Sequence, residues 1–338
     1  MELMVNILCS LNNLSQNGPC TINRNGTDTE LNPYSWNTQA NLLFVDQPAG
    51  AGFAMGPPVT NGSFEAADDL YLALQNFFEK HDQYRSNDFY ITGESYAGHY
   101  IPAIAHKIWR ENVRGVEPNI PLRGIAIGNG WMKAAVQVLH YPEMAFQSGT
   151  APHVITRKEY LSMSRQMVSC SKMISSCLES NGDKCPKAEN CSEGAFPPLE
   201  MRGIDVYDMR ITCRSDDCSG LGGGNMQTYL NKKSVQSKLG VRKRFEECSN
   251  VGDFSRDEIT AFDVLLPDLI DAEIKVLLYA GDQDYICNWI GYEKVAEQME
   301  WAGRDAFQTA ARYEYEDNNG ISVGLLRSIR WKEKGMFG

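Results

Sequence analysis

Four short, uninterrupted apolar runs constrain the fold of this chain more than any other feature. They cover residues 41–46, 88–92, 124–128 and 276–280, and Gly, Asp or Asn bounds each of them. Strands that are apolar at consecutive positions are typical of a parallel sheet covered on both faces. We therefore expect the four runs to be buried strands of one sheet.

Helical periodicity occupies the intervals between these runs. Between residues 67 and 78 the apolar side chains recur at helical spacing, at Ala67, Leu70, Leu74, Phe77 and Phe78. Two further helices are predicted over about 98–112 and 288–301. The alternation of strands and helices predicts an α/β protein with a doubly wound, mostly parallel sheet.

The stretch over 150–253 interrupts this alternation and predicts an inserted cap. It holds a cluster of six cysteines, Cys170, Cys177, Cys185, Cys191, Cys213 and Cys218. CxxC spacing is lacking and no His lies among them, so disulfides are favoured over a zinc site. We expect 1–149 and 254–338 to be two parts of one α/β core, with 150–253 as a disulfide-stapled cap.

Charge and composition indicate which kinds of partner are excluded and which cellular compartment is favoured. The net charge of −11 argues against nucleic-acid binding, and no apolar run is long enough to span a membrane. The sequence has four N-glycosylation sequons, at Asn13, Asn25, Asn61 and Asn190. With the cysteines they predict the secretory pathway, either vacuole or lysosome or the extracellular space. Residues 1–8 do not form a signal peptide, so we expect the N-terminus to be incomplete.

The segment after residue 92 has the pattern of a nucleophile elbow. Gly93-Glu94-Ser95-Tyr96-Ala97 follows a predicted strand and precedes a predicted helix. Such a turn raises the Ser95 hydroxyl above the sheet edge, and the Tyr96 N–H at the helix N-terminus can donate to an oxyanion. The alternative is an ordinary Gly-Glu-Ser turn.

A candidate acid follows the last predicted strand. Asp282 and Asp284 both lie directly after the run over 276–280. In α/β-hydrolases the acid of the catalytic triad follows a late strand, so either residue is a candidate. Loop capping by a short carboxylate is the alternative for one of them.

Five stretches in a fixed order resemble the serine carboxypeptidases. They are 32–37 (NPYSWN), 45–53 (VDQPAGAGF), 93–98 (GESYAG), 128–131 (GNGW) and 279–289 (YAGDQDYICNW). The resemblance covers about 16–328 and implies an α/β-hydrolase fold with no metal or organic cofactor. It also implies release of C-terminal residues from peptides or proteins through an acyl-enzyme, while the oligomeric state stays open. The alternatives are an acyltransferase and a secreted, catalytically impaired binding protein.

The resemblance assigns roles to four residues. Ser95 matches the nucleophile, Asp284 the acid, and Cys287 a free thiol beside the site. Glu94 matches the glutamate that binds the substrate's C-terminal carboxylate in its protonated form, which favours acidic pH. Tyr96 follows the nucleophile and supplies the oxyanion N–H. Ser95 and Asp284 should face one pocket.

The resemblance also implies the disulfide pairing. The expected pairs are Cys170–Cys191, Cys177–Cys185 and Cys213–Cys218, with Cys248 bound to either Cys9 or Cys20. Cys287 and the remaining member of Cys9 and Cys20 would then be free thiols.

Three departures from the family pattern concern the chemistry. All five histidines, His81, His99, His106, His140 and His153, precede Asp284, whereas the family's catalytic histidine follows the acid. The upstream Asn-Gly-Gly-Pro-Gly segment is poorly matched, and Gln16 stands in place of a family glutamate. We therefore expect truncation at both ends and hydrolysis at least ~10³-fold slower than that of a histidine-containing relative.

Overall fold

The computed structural model describes residues 2–8, 17–23, 25–180, 185–213, 223–246 and 251–331. A five-stranded sheet, parallel throughout, organises them. Its strands are β1 (Glu2–Leu8), β4 (Ala40–Asp46), β5 (Phe89–Glu94), β6 (Leu122–Gly128) and β7 (Lys275–Tyr279), in the spatial order β4-β1-β5-β6-β7. The α/β architecture and all four predicted strands are confirmed.

The strand register brings three chain segments to one edge of the sheet. Glu94 at the end of β5 pairs with Gly128 at the end of β6. Gly128 in turn pairs with Tyr279 at the end of β7. Because the strands are parallel, the segments that follow them all leave the sheet on this side, where α/β sheets carry their ligand sites.

Two features of the sheet differ from the sequence-based expectation. Strand β1 was not predicted, because Glu2 and Asn6 interrupt its apolar run, yet it lies between β4 and β5. Burial of β7 on both faces was also expected, and this expectation is wrong. Leu277 and Tyr279 are 48% and 40% exposed, because β7 is an edge strand of the sheet that the structure describes.

Two small antiparallel pairs complete the strands of the described residues. Strands β2 (Cys20–Ile22) and β3 (Thr29–Leu31) form one pair. Strands β8 (Arg312–Glu316) and β9 (Ser322–Arg327) form the other, which the sequence did not predict.

The helices outside residues 150–253 include the three that the sequence predicts. They are α1 (Gly62–Lys80), α2 (Ala97–Val113), α3 (Ala134–Gln137), α4 (Tyr141–Gln147), α10 (Ser255–Ile259), α11 (Leu266–Asp271), α12 (Trp289–Gln298) and α13 (Arg304–Thr309). Helix α1 buries Leu70, Leu74 and Phe78 against α2 and the sheet, as its periodicity predicts. The fully buried Ile104 of α2 lies in the same cluster, so both helices are anchored to the sheet.

The stretch between α4 and α10 is helical and carries disulfides. Its helices are α5 (Arg157–Glu179), α6 (Pro186–Glu189), α7 (Pro197–Glu200), α8 (Gly223–Leu230) and α9 (Lys233–Leu239). None of the described helices combines the length and the hydrophobicity of a membrane-spanning segment. The division into core and cap stays a prediction.

Two of the predicted disulfides are confirmed. Cys170 bonds to Cys191 and Cys177 to Cys185, which tie α5 to the segment that follows it. Cys213 is disulfide-bonded, but its predicted partner Cys218 lies outside the described residues. Cys248, whose predicted partner is either Cys9 or Cys20, lies outside them as well, as does Cys9. Cys287 is a free thiol, as expected, and Cys20 is also free, which fits the alternative in which Cys9 is the partner of Cys248.

Candidate active site

Ser95 occupies a strained turn between β5 and α2. Its backbone φ is +59°, a left-handed conformation that residues other than glycine rarely adopt. Two backbone hydrogen bonds hold it there: the Ser95 N–H donates to the Gly128 carbonyl at 3.1 Å, and the Trp131 N–H donates to the Ser95 carbonyl at 2.9 Å. The sequence pattern of a nucleophile elbow therefore corresponds to an elbow in the structure.

Small residues around the turn are required by the close approach of the next loop. A Cβ atom at Gly98 would lie 2.3 Å from the Trp131 carbonyl oxygen. One at Gly128 would lie 2.5 Å from the Tyr279 ring. Neither position can carry a larger side chain without movement of its neighbours.

Asp284 lies on the loop between β7 and α12, and residues from the stretch between α4 and α10 hold this loop. The neighbouring Tyr285 donates its backbone N–H to the Val206 carbonyl at 3.0 Å and its hydroxyl to the Ala195 carbonyl at 2.8 Å. The partly buried Asp284 carboxylate accepts a hydrogen bond from the Cys287 N–H at 3.3 Å. The loop is thereby folded back on itself, with the carboxylate on its inner side.

The other candidate acid, Asp282, lies in a different environment. It is exposed, and its carboxylate accepts a hydrogen bond from the side chain of Gln283 at 3.0 Å. Its backbone carbonyl accepts from the Thr150 hydroxyl at 3.1 Å. These contacts match the loop-capping alternative for this residue.

Burial dominates the electrostatics of Asp284. Burial, with a smaller contribution from the nearby Glu94 carboxylate, raises the pKa of its carboxyl from the ordinary 3.8 to about 7. Hydrogen bonds from the backbone of Cys287 and Ile286 and from the Asn129 side chain act in the opposite direction. Burial, with a contribution from Glu94, also raises the pKa of Tyr279 to about 12.

Cys287 connects the elbow to the Asp284 loop. Its buried sulfur accepts a hydrogen bond from the Ser95 hydroxyl, and its backbone N–H donates to Asp284. Burial raises the pKa of the thiol well above its usual range, and the charges of Asp284 and Glu94 add to this effect. Ser95, Glu94, Asp284 and Cys287 therefore lie close together at this edge of the sheet.

The side chain of Tyr96 is directed to a structural contact. Its hydroxyl donates to Asp257 at 2.9 Å, and its ring stacks on His99 with 4.6 Å between centroids. Asp257 also accepts hydrogen bonds from the backbone N–H and the hydroxyl of Ser63, at 2.8 and 2.6 Å. The predicted oxyanion role of Tyr96 therefore concerns its backbone N–H and not its side chain.

The five histidines all have other neighbours. His99 is fully buried, contacts the Trp131 carbonyl through Nδ1 at 2.5 Å, and has its pKa lowered by burial. The other four have partners elsewhere in the fold: His81 lies beside Phe77, His106 beside Asp268, His140 beside Glu143, and His153 beside the Ile155 carbonyl. Among the described residues, no histidine is a partner of Ser95 or Asp284.

Comparison with known proteins gives the family. The serine carboxypeptidase family model matches residues 9–332, nearly the whole chain. This chain belongs to the serine carboxypeptidase family. Its structure resembles that of Kex1(delta)p, a prohormone-processing carboxypeptidase from Saccharomyces cerevisiae, with a TM-score of 0.81 over 97% of this chain and 77% of that one. At 21% identity this likeness concerns the fold, and it confirms the predicted α/β-hydrolase fold.

Relatives in fungi and plants are about one-third identical to this serine carboxypeptidase chain. Carboxypeptidase Y homolog A of Sclerotinia sclerotiorum is 35% identical over 92% of this chain and 57% of its own length. Serine carboxypeptidase-like 48 of Arabidopsis thaliana is 35% identical over 93% of this chain and 62% of its own. The chain therefore spans less than two-thirds of the length of these two relatives.

One residue of the site was not assigned a role by sequence reasoning. Asn129, directly after β6, hydrogen-bonds to the loop that carries Asp284. Its only sequence signal was its place in the 128–131 motif, which carries no information about the partners of its side chain.

Proposed function

We propose that this protein is a serine carboxypeptidase that releases C-terminal residues from peptides and proteins through an acyl-enzyme. The observation that carries the proposal is the strained Ser95 turn, whose hydroxyl contacts the loop of Asp284 at the carboxyl edge of the sheet. Membership of the serine carboxypeptidase family supports the same chemistry.

In the proposed reaction the Ser95 oxygen attacks the carbonyl carbon of the last peptide bond. The carbonyl π electrons move to its oxygen, and the Tyr96 N–H donates to the oxyanion that forms. A histidine oriented by Asp284 would accept the Ser95 proton and return it to the leaving amine, after which water releases the acyl group. Since the five histidines have other neighbours, these 338 residues supply the nucleophile and the acid but not the base.

Glu94 is proposed to bind the C-terminal carboxylate of the substrate. It follows Gly93 at the end of β5, and its charge acts on Asp284, Cys287 and Tyr279, so it lies beside the proposed nucleophile. A neutral carboxyl can donate a hydrogen bond to a carboxylate, whereas an ionised carboxyl would repel it. Substrate binding should therefore weaken as the pH rises.

Calorimetric binding of blocked dipeptides tests this proposal, because it requires no catalytic base. The free acid should bind at least about tenfold more tightly than the amide at acidic pH, the size of one hydrogen bond to a charged group. Glu94→Ala should abolish the preference for the free acid. Glu94→Gln should retain this preference at higher pH as well, because the glutamine amide N–H donates a hydrogen bond at every pH. Asp282→Asn, on the exposed part of the nearby loop, is the matched control and should change nothing. Equal affinity for acid and amide would contradict the proposal.

We also propose that the protein acts in the secretory pathway, in a vacuole, a lysosome or the extracellular space. Disulfides persist in such oxidising compartments, and two of them tie α5 to its neighbours. The sequon residues Asn25, Asn61 and Asn190 are exposed, so glycosyl transfer would meet no steric barrier at these side chains.

A further inference from the structure

The distance between Ser95 and Asp284 depends on how two separate loops are joined. Ser95 follows β5 and Asp284 follows β7, and β6 lies between these strands. Among the described strands, the end of β6 is therefore the one that neighbours both loops. Its last residue, Gly128, accepts the hydrogen bond from the Ser95 N–H.

The next residue, Asn129, binds the other loop with its backbone and its side chain. The backbone N–H donates to the Tyr279 carbonyl at 2.9 Å. The side-chain Oδ1 accepts from the Gly281 N–H at 2.8 Å, and Nδ2 donates to the Gly281 carbonyl at 3.1 Å. A longer contact, of 3.4 Å, joins Nδ2 to the Cys287 carbonyl, and the same amide hydrogen-bonds to the Asp284 carboxylate.

The chemistry of asparagine suits this position. Asn129 has a φ of +38°, and asparagine enters the left-handed region at lower cost than most side chains. Its amide also offers an acceptor to the Gly281 N–H and donors to the carbonyls and the carboxylate. Aspartate would lack the donors, and glycine would lack the side chain.

We propose that Asn129 is a positioning residue, which holds the Asp284 carboxylate at a set distance from Ser95 by joining the Asp284 loop to the end of β6. This inference rests on the proposed function, because the distance between Ser95 and Asp284 matters only if the two residues act together in catalysis. The contacts themselves span both loops: Gly128 holds the Ser95 backbone, and Asn129 holds the loop from Gly281 to Cys287.

The test measures the Asp284 titration directly by NMR in protein labelled with ¹³C at the aspartate carboxyl carbon. Asp284→Asn assigns the signal by its disappearance. In Asn129→Gly, which keeps the backbone conformation and removes the amide, the Asp284 midpoint should rise by about one pH unit or more, the size of one hydrogen bond to a charged acceptor. The titratable groups facing Asp284, Glu94 of β5, Cys287 of its own loop and Tyr141 of α4, are unchanged in this variant.

Two further variants separate positioning from general stability. Asn129→Asp keeps the acceptor for the Gly281 N–H but replaces the donors with a charge, so it should raise the midpoint at least as far as Asn129→Gly. Glu273→Gly is the matched control, because Glu273 also has a positive φ, is exposed and lies at the opposite end of β7. It should leave the Asp284 midpoint unchanged.

The inference would be overturned if the Asp284 titration midpoint in both Asn129 variants lay within about 0.3 pH unit of the wild-type value. A shift of that size corresponds to less than about 0.4 kcal/mol. If Asn129→Gly does not fold, Asn129→Asp carries the test alone. The proposed function is tested separately by the preference for peptide acids over amides, which does not depend on Asn129 as a donor. If the wild type does not prefer peptide acids but the Asn129 variants shift the Asp284 midpoint, the proposed function is contradicted, whereas the positioning role of Asn129 is supported.

Discussion

At the scale of single residues, the site is built around a strained serine. A non-glycine residue in the left-handed conformation costs roughly 1–2 kcal/mol. At Ser95 the hydrogen bonds with Gly128 and Trp131 maintain this conformation against its cost. Strain of this kind is common at catalytic residues, since it presents the side chain away from the backbone and toward the substrate.

Substitution of Ser95 should reveal this strain. Ser95→Gly and Ser95→Ala both remove the hydroxyl, but only glycine relieves the left-handed conformation. We expect Ser95→Gly to be the more stable by about 1 kcal/mol in urea denaturation.

Ser164, inside α5, is the matched control, because alanine has a higher helix propensity than glycine at an interior helical position. Ser164→Ala should be more stable than Ser164→Gly by about 1 kcal/mol, which is the opposite order. The same order at both positions would mean that Ser95 carries no backbone strain.

At the scale of elements, the disulfides and α5 anchor the loop of Asp284. Helix α5 begins with a capping box formed by Thr156 and Glu159, and the Cys170–Cys191 disulfide ties its middle to the segment that precedes α7. In that segment the Ala195 carbonyl accepts the hydrogen bond from Tyr285, next to Asp284. The position of the Asp284 loop therefore depends on this disulfide-linked segment as well as on the sheet.

Removal of the Cys170–Cys191 disulfide should destabilise the protein measurably. The bond joins residues 21 positions apart. A loop of this size restricts the unfolded chain enough to stabilise the fold by about 3 kcal/mol in the chain-entropy account. The Cys170→Ala, Cys191→Ala double variant should lose about this much in urea denaturation.

The second disulfide provides the comparison for this experiment. Cys177 and Cys185 are only 8 positions apart, so their replacement by alanine should cost less. A Cys170→Ala, Cys191→Ala variant as stable as the wild type would show that this disulfide does not stabilise the fold.

At the scale of the whole molecule, Asp284 links stability to pH. The folded protein retains the Asp284 proton up to about pH 7, whereas the unfolded chain loses it near pH 3.8. Between these values the folded state binds one more proton than the unfolded state, so the free energy of unfolding falls as the pH rises. The loss of unfolding free energy caused by ionising the buried Asp284 is absent below about pH 3.8 and complete above about pH 7.

Asp284→Asn should remove this dependence. Between pH 4 and pH 7 the wild type should lose up to about 4 kcal/mol relative to the variant, since each pKa unit corresponds to about 1.4 kcal/mol. Urea denaturation across this range measures the difference. Asp282→Asn, which replaces an exposed carboxyl, should follow the wild type, and parallel curves for Asp284→Asn and wild type would contradict a raised pKa.

Local patterns in the chain predicted most of the elements and the main site residues. The apolar runs located four of the sheet strands, and helical periodicity located α1, α2 and α12, because both depend on neighbours only a few residues apart. Strand β1 and the β8–β9 pair escaped prediction, since their sequences lack an uninterrupted apolar run.

The α/β class, the elbow at Ser95 and the candidate acids could all be predicted from the sequence, because each depends on a short motif in a fixed local context. The different environments of Asp282 and Asp284, and the contacts of Asn129 with the Asp284 loop, emerge only in the folded chain. The contacts of Asn129 join residues 152 and 158 positions apart. Their proximity follows from the order of parallel strands, in which β6 and β7 are neighbours although 146 residues separate them along the chain. No local pattern encodes that order, because it depends on how the whole sheet packs.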